Sequence, residues 1–178
     1  MPDETSQRPT RAPFPPLDLL HGLADALRQG RIGTGEAAAL RRLDPLDPDR
    51  RHILPLMRLL AATEIDDTPG TWRRLALIAN AVALARGLHD PQMEAGRGLH
   101  SMNFSEQRLM ALLAADFATL ADLLPRIARR AAAAGVAMDW RPLALLAWFV
   151  DRDDARADAE RRKIASAGLR AAAPPNAA

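Results

Sequence analysis

The chain has 178 residues and a formal net charge of +2, and 26% of its residues are charged. That length suits one domain, or two small ones, with a core of its own. Cysteine is absent, which excludes disulfides and thiol catalysis, and no apolar run approaches the ~20 residues of a membrane helix. The first residues include Asp3 and Glu4 and no apolar run, so we expect no secretory signal and a soluble, cytoplasmic protein.

The pattern predicts an all-α fold. Ala and Leu are abundant, Val and Ile are scarce, and no alternating apolar and polar run suggests a strand. Proline-rich residues 1–16 and the segment 171–178 are predicted to be disordered tails around a helical domain at 17–170. This domain is a helical bundle, formed either as one unit or as two small lobes joined near residues 88–98.

Helix starts and stops are marked by caps, prolines and glycines. The first half of the chain predicts helices at 17–29, 36–43, 48–63 and 69–87. Asp47 and Thr68 are the expected N-caps of the last two, each followed by proline, and Pro55 should bend the third helix. Gly30 and Gly87 end the first and fourth.

The second half continues in the same way. We predict a short helix opened by Asp90-Pro91 that runs to about His100, and another capped by Ser105. Helices then follow at 119–134, at 140–150 with Asp139 as the cap, and at 153–169. Gly135 ends the first of these.

No motif of a catalytic or metal site is present. None of the serines lies in a Gly-x-Ser-x-Gly motif. The acids between Asp151 and Glu160 suit a helix start, where they offset the helix dipole. No two histidines have the i, i+4 spacing of a helical zinc site; they are His21, His52, His89 and His100. We therefore predict no enzyme activity, no metal and no cofactor, and we interpret His89-Asp90 as a helix cap.

The tryptophans favour core packing. Trp140 and Trp148 are eight residues apart, close to one face of a helix. Base stacking is the less favoured interpretation of this spacing.

Arginine supplies 23 of the 24 basic residues. Arg126, Arg129 and Arg130 share one helix face, away from the apolar stripe of the same helix. Two interpretations stay open: a solvated charged face, or a grip on phosphates if several such groups converge. Replacing Arg129 and Arg130 together by Ala is expected to leave folding almost unchanged. Other basic positions are Arg41-Arg42, Arg73-Arg74, Arg97, Arg108 and Arg161-Arg162-Lys163.

Several short motifs occur in a characteristic order. They are Leu40-Arg41-Arg42, Gly96-Arg97-Gly98-Leu99, Ser105-Glu106-Gln107-Arg108, the turn at Asp116, Leu124-Pro125-Arg126-Ile127 with Arg129-Arg130, and Val136-Ala137-Met138-Asp139-Trp140 before a helix with Trp148. This ordered set, over roughly residues 35–168, resembles the CasB family, the small subunit of the type I-E CRISPR surveillance complex Cascade. Two positions depart from the family pattern. Gly98 replaces the family's usual Ala. The basic stretch that the family has after the tryptophan-bearing helix keeps only one positive residue here, Arg152.

The resemblance implies an all-α, non-catalytic subunit that works with other Cascade subunits and a second copy of itself. It implies contacts with the backbones of guide RNA and target DNA, a hold on the displaced strand, and no membrane. The nucleic-acid-binding residues implied are Arg41, Arg42, Arg97, Arg108, Arg126, Arg129, Arg130 and Arg152. The alternative is a helical adaptor that binds only protein, with its arginines solvated or paired to acids such as Asp116 and Asp122. An enzyme is the least favoured interpretation.

Overall fold

The computed structural model describes residues 14–47, 50–61 and 68–173. Within these ranges all regular structure is helical, apart from one isolated bridge between His89 and Met138, which confirms the predicted all-α class. The helices of the described part are α1 Pro15–Arg28, α2 Thr34–Arg41, α3 Arg50–Leu60, α4 Pro69–Leu84, α5 Ala95–Ser101, α6 Glu106–Leu113, α7 Phe117–Ala134, α8 Arg141–Phe149 and α9 Asp154–Ala172.

Helix α4 lies at the centre of the core. Its residues from 74 to 83 are all buried, and it contacts α1, α2, α3, α7 and α8. A helix that is apolar on every side is stable only when neighbours surround it. Its start is as predicted, because Thr68 Oγ1 accepts the N–H of Thr71 at 3.2 Å and Pro69 occupies the first turn.

A buried polar side chain of α4 binds the end of α2. Asn80 is 2% exposed, and its Nδ2 donates to the carbonyls of Leu40, Arg41 and Leu43 at 3.1, 3.0 and 3.2 Å. The last carbonyls of a helix have no partner within the helix. Asn80 therefore satisfies the end of α2 and orients the residues that follow it.

Helices α5 and α9 cross at glycines. A Cβ placed on Gly96 would lie 2.2 Å from the carbonyl oxygen of Ile164 and 2.3 Å from the nitrogen of Gly168. The two backbones are thus in direct contact. Gly98 is similarly confined, since its Cβ would lie 2.5 Å from the Cβ of Met138. The alanine that the CasB resemblance expects there does not fit beside Met138.

Most local caps in the second half agree with the sequence. Ser105 Oγ accepts the N–H of Arg108 at 3.4 Å. Asp153, predicted as the first residue of the last helix, is instead its N-cap and accepts the N–H of Arg156 at 3.1 Å. Gly135 ends α7 in the left-handed conformation, with φ of 65°. The N-cap predicted at Asp47 depends on residues 48 and 49, which lie outside the described residues.

Several predicted helix starts differ from the structure. The start at Asp90-Pro91 is wrong: Asp90 Oδ1 accepts the N–H of Gln92 in a turn, and α5 begins at Ala95. The N–H of Asp90 donates to the carbonyl of Met138, and the N–H of Asp139 donates to the carbonyl of Met93. These hydrogen bonds hold residues 89–93 in a non-helical path. Helix α7 begins at Phe117 because Asp116 caps it, and α8 begins at Arg141, whose N–H donates to Asp139.

The helices reach beyond the domain limits predicted from the sequence. Helix α1 already includes Pro15, and α9 continues to Ala172. The remaining parts of both predicted tails, 1–13 and 174–178, lie outside the described residues. One contiguous cluster of buried apolar side chains has members from α1 to α9.

His89 is buried beneath the start of α8. It is 7% exposed, its Nδ1 accepts the N–H of Trp140 at 3.3 Å, and its Nε2 is buried without a partner in the described part of the chain. Burial lowers the pKa of His89 below 6.5, although the nearby Asp139 opposes this shift. The imidazole is therefore neutral in the folded protein at neutral pH, as an acceptor at Nδ1 requires.

We expect acidification to destabilise the protein through His89. The unfolded chain, with its histidine near 6.5, binds more protons than the folded chain, whose His89 has a lower pKa. This contribution is complete above pH 6.5 and is lost as the pH falls through the folded pKa. Denaturant unfolding at several pH values from about pH 7 to pH 5 measures this loss of stability. His89→Asn should make the free energy of unfolding depend less on pH.

The exposed His21 provides the control for this pH dependence. Its ring centroid lies 5.4 Å from that of His89, so the two charged forms would repel. His21→Gln should leave most of the pH dependence in place. An unchanged curve in His89→Asn would contradict the prediction.

Candidate nucleic-acid interface

All eight predicted arginines are exposed, but their side chains are engaged differently. Four have no ion pair or side-chain hydrogen bond to any residue in the described part of the chain: Arg42, Arg97, Arg108 and Arg129. They lie on or beside α2, α5, α6 and α7. Their guanidinium groups keep their donors available to a ligand.

Two of the eight arginines hold the fold together. Arg41 Nε donates to the carbonyl of Ala83 at 3.2 Å. Arg130 Nε donates to the carbonyl of Met102 at 2.8 Å, and its Nη2 donates to that of Asn103 at 3.4 Å. Arg130 therefore fastens the loop between α5 and α6 to α7. This corrects the expectation that Arg129 and Arg130 can be replaced together without an effect on folding.

Arg126 has an acidic partner one turn away. Its Nη2 lies 2.8 Å from a carboxylate oxygen of Asp122, and the two side chains are 68% and 60% exposed. Exposed pairs of this kind contribute between about 0 and 1 kcal/mol. Arg126 can thus exchange this partner for a phosphate with little loss. Asp116, the other acid named in the adaptor interpretation, is the N-cap of α7.

Arg152 lies in the turn between α8 and α9. Its guanidinium carbon is 5.1 Å from the ring centroid of Trp148, which is half-buried beside Phe14. The neighbouring acids have structural partners: Asp151 accepts the N–H of Phe117 at 2.9 Å, and Asp153 caps α9. Trp140 is 3% exposed, so its predicted place in the core is confirmed.

Three of the predicted arginines meet at one groove. It lies between α6 and α7, and its volume is about 450 Å³. Its lining consists of Phe104, Arg108, Ala111, Leu123, Arg126, Ile127 and Arg130. The sequence places Arg126 and Arg130 on one face of α7, and the tertiary structure adds Arg108 from α6.

Residues 36–167 match the family described as CRISPR-associated protein Cse2. The chain belongs to the Cse2 family. Cse2 is the CasB small subunit of type I-E Cascade, so the resemblance found in the sequence is confirmed. No curated protein and no solved structure matches the chain.

The Cse2 match includes all eight predicted arginines and α3 to α8 in full. A second basic surface, which lies mostly within the matched range, was not among the nucleic-acid-binding residues predicted from the sequence. It is a groove of about 380 Å³ along α9, with Glu94 of the loop before α5. Its basic side chains are Arg162, Lys163 and Arg170. The run at 161–163 was the signal for it.

Two of these three basic groups in the Cse2 chain are paired. Lys163 Nζ lies 2.6 Å from Glu160, and Arg170 Nη2 lies 2.7 Å from Glu94. Arg162 is exposed and has no partner among the described residues. This surface is therefore closer to electrical neutrality than the α6–α7 groove.

One arginine of the Arg73-Arg74 pair is excluded from any interface of this Cse2 chain. Arg74 is 7% exposed, donates to the carbonyl of Ala147 at 2.8 Å, and lies over the ring of Phe117 at 4.6 Å. Burial and the charge of Arg152 lower its pKa, while Asp151 opposes the shift. Arg74 stabilises the contact between α4 and α8.

The exposed arginines of the Cse2 chain offer hydrogen-bond donors to phosphate. Among the described residues, no cluster of three or more His, Asp or Glu side chains could hold a metal ion. Within the same ranges, none of the helices combines the length and apolar character needed to span a membrane. Exposed guanidinium groups bind phosphate oxygens in pairs and do not read base sequence in doing so.

Proposed function

We propose that this chain is a non-catalytic small subunit of a type I-E Cascade complex that contacts guide RNA and target DNA through their backbones and stabilises the displaced strand. The Cse2 family supports the place in Cascade. The observation that carries the nucleic-acid role is the set of four exposed arginines that have no side-chain partner among the described residues, all within the matched range. The same family supports a cytoplasmic complex with other subunits and a second copy of this chain.

The charge distribution favours weak binding by the isolated chain. A net charge of +2 gives little long-range attraction to a polyanion. A few arginines aligned on an assembled groove neutralise phosphates locally, and each such contact steepens the salt dependence by about one unit. We therefore propose that most of the affinity for nucleic acid arises inside the complex and does not depend on sequence.

One set of contacts favours the alternative, a protein-binding adaptor. Arg126 pairs with Asp122, and Arg41 and Arg130 bind backbone carbonyls. Under this alternative the unpartnered arginines are solvated or bind acidic side chains of other subunits. The two functions make different predictions for a single exposed arginine.

Arg129→Ala tests the nucleic-acid role without disturbing the fold. Arg129 is exposed and has no partner within the described residues, so its loss should change stability by about 0.5 kcal/mol or less. The assembled complex should retain target DNA less well, equally for all sequences, and its salt dependence should become shallower by about one unit. Gel-shift titrations at several salt concentrations, with a melting curve for each protein, measure both.

Arg130→Ala is the matched structural comparison on the same helix. It removes two hydrogen bonds to the α5–α6 loop and should lower the free energy of unfolding by about 1 kcal/mol. If Arg129→Ala leaves affinity and salt slope unchanged, Arg129 has no part in nucleic-acid binding. Loss of assembly with Arg129→Ala, at unchanged stability, would support the adaptor instead.

A further inference from the structure

The groove between α6 and α7 combines a basic rim with an apolar interior. Arg108 and Ala111 are one turn apart on α6, and Arg126 and Ile127 are adjacent on α7. Phe104 contributes an aromatic ring from the preceding loop. A ligand that matches this groove carries a negative charge next to an apolar surface. The two parts of the ligand are close together, because the basic and apolar groups of each helix lie within about one helical turn.

The aromatic side of the groove is held in place by backbone contacts. The N–H of Phe104 donates to the carbonyl of Leu99 at 3.1 Å, and the N–H of Asn103 donates to the carbonyl of His100 at 2.9 Å. Arg130 binds the carbonyls of Met102 and Asn103 in the same loop. The loop is thus fixed before any ligand binds, which reduces the entropy lost on binding.

The rim has two guanidinium groups available to an anion. Arg108 has no side-chain partner in the described part of the chain, and Arg126 pairs only with the exposed Asp122. The groove's volume of about 450 Å³ is in the usual range of sites for small organic groups, about 300 to 1,000 Å³. It is therefore large enough for a planar ring as well as the charged group attached to it.

We propose that the α6–α7 groove binds one nucleobase of a single strand whose adjacent phosphates contact Arg108 and Arg126. This inference rests on the proposed function and specifies the ligand of that interface. A nucleotide carries its charge and a planar, stackable surface on the same unit, as the groove requires. Stacking against Phe104 tolerates any base, since every base has a π-face. An acidic peptide would match the rim equally well, but it matches the aromatic interior less well.

The test compares two oligonucleotides with equal numbers of phosphates. Oligothymidylate and the same oligomer with abasic sites are titrated into the full-length chain at low salt, with fluorescence anisotropy as the readout. We expect the oligomer with bases to bind about tenfold more tightly, which corresponds to about 1.4 kcal/mol. Arg108→Ala should weaken both oligomers by the same factor, because it removes only a phosphate contact.

Filling the groove provides the matched variants. Ala111 is exposed on the groove side of α6, so Ala111→Leu occupies the groove without removing any core contact. It should abolish the preference for the oligomer with bases. Ala118→Leu adds the same side chain at an exposed position of α7 that does not line the groove, and it should keep the preference.

The outcomes separate this inference from the proposed function. Equal affinity of the unmodified chain for both oligomers would overturn base binding while leaving backbone binding intact. Failure of the chain to bind either oligomer at low salt would overturn the inference, while the Arg129→Ala titrations of the assembled complex test the proposed function separately. If Ala111→Leu prevents incorporation into the complex and the two oligomers bind equally, the groove receives protein, and the inference is wrong.

Discussion

Replacing Gly96 by Ala should lower the free energy of unfolding by more than about 3 kcal/mol. The added Cβ would lie 2.2 Å from the carbonyl oxygen of Ile164 and 2.9 Å from the carbonyl carbon of Ala167. Both atoms belong to the backbone of α9, so no side chain can rotate away to make room. Helix α5 must instead move outward, which opens its contacts with α8 and α9. Denaturant unfolding followed by circular dichroism measures the loss.

Gly22→Ala is the control for the Gly96 substitution. Gly22 lies inside α1, and a Cβ placed there would meet nothing within 4 Å. The same change should therefore stabilise the protein by about 0.5–1 kcal/mol, as Ala is the better helix former. Equal effects at both positions would show that close packing of α5 on α9 is not the reason for a glycine at 96.

The Gly96 substitution also connects the fold to the proposed interface. Arg97 follows it on the same short helix and has no side-chain partner in the part of the chain that the structure describes. Movement of α5 would displace Arg97 relative to the arginines of α6 and α7. Loss of nucleic-acid retention in Gly96→Ala would therefore be a structural effect, and Arg97→Ala is the variant that tests the residue itself.

Asn80→Asp should lower the free energy of unfolding by about 3–5 kcal/mol at neutral pH, as expected for a buried charge without a partner. The Nδ2 of Asn80 donates to three carbonyls at 3.0 to 3.2 Å. A carboxylate of the same shape would direct an oxygen at three oxygens in a site that is 2% exposed. Burial and repulsion therefore act in the same direction. Chemical denaturation of both proteins at pH 7 measures the difference.

Asn80→Ala separates the hydrogen bonds from the charge. It removes the donor but introduces no acceptor, so it should cost less, about 1–3 kcal/mol. If both substitutions at Asn80 destabilise the protein equally, then electrostatic repulsion from the carbonyls of α2 is not important. In either variant we expect the chain at Arg41-Arg42 to lose its fixed position, because Asn80 binds the carbonyls on both sides of that pair.

The sequence alone determined the fold class and the approximate position of each helix. Thr68, Ser105 and Gly135 act as caps where the pattern placed them. These signals are reliable because each cap bonds to backbone three or four residues away, and no distant partner is needed. The order of arginine-bearing motifs was also enough to indicate the family, which the match over 36–167 confirms.

The tertiary structure decided what each of these residues contacts. Helical spacing put Arg126, Arg129 and Arg130 on one face, but it could not show that Arg130 binds a loop 27 and 28 residues away. The failed helix start at Asp90 has the same origin, since Met138 pairs with that segment from far along the chain. The groove itself depends on Arg108 of α6 facing α7. Sequence periodicity fixes the direction of a side chain relative to its own helix, whereas its neighbours depend on how separate helices pack.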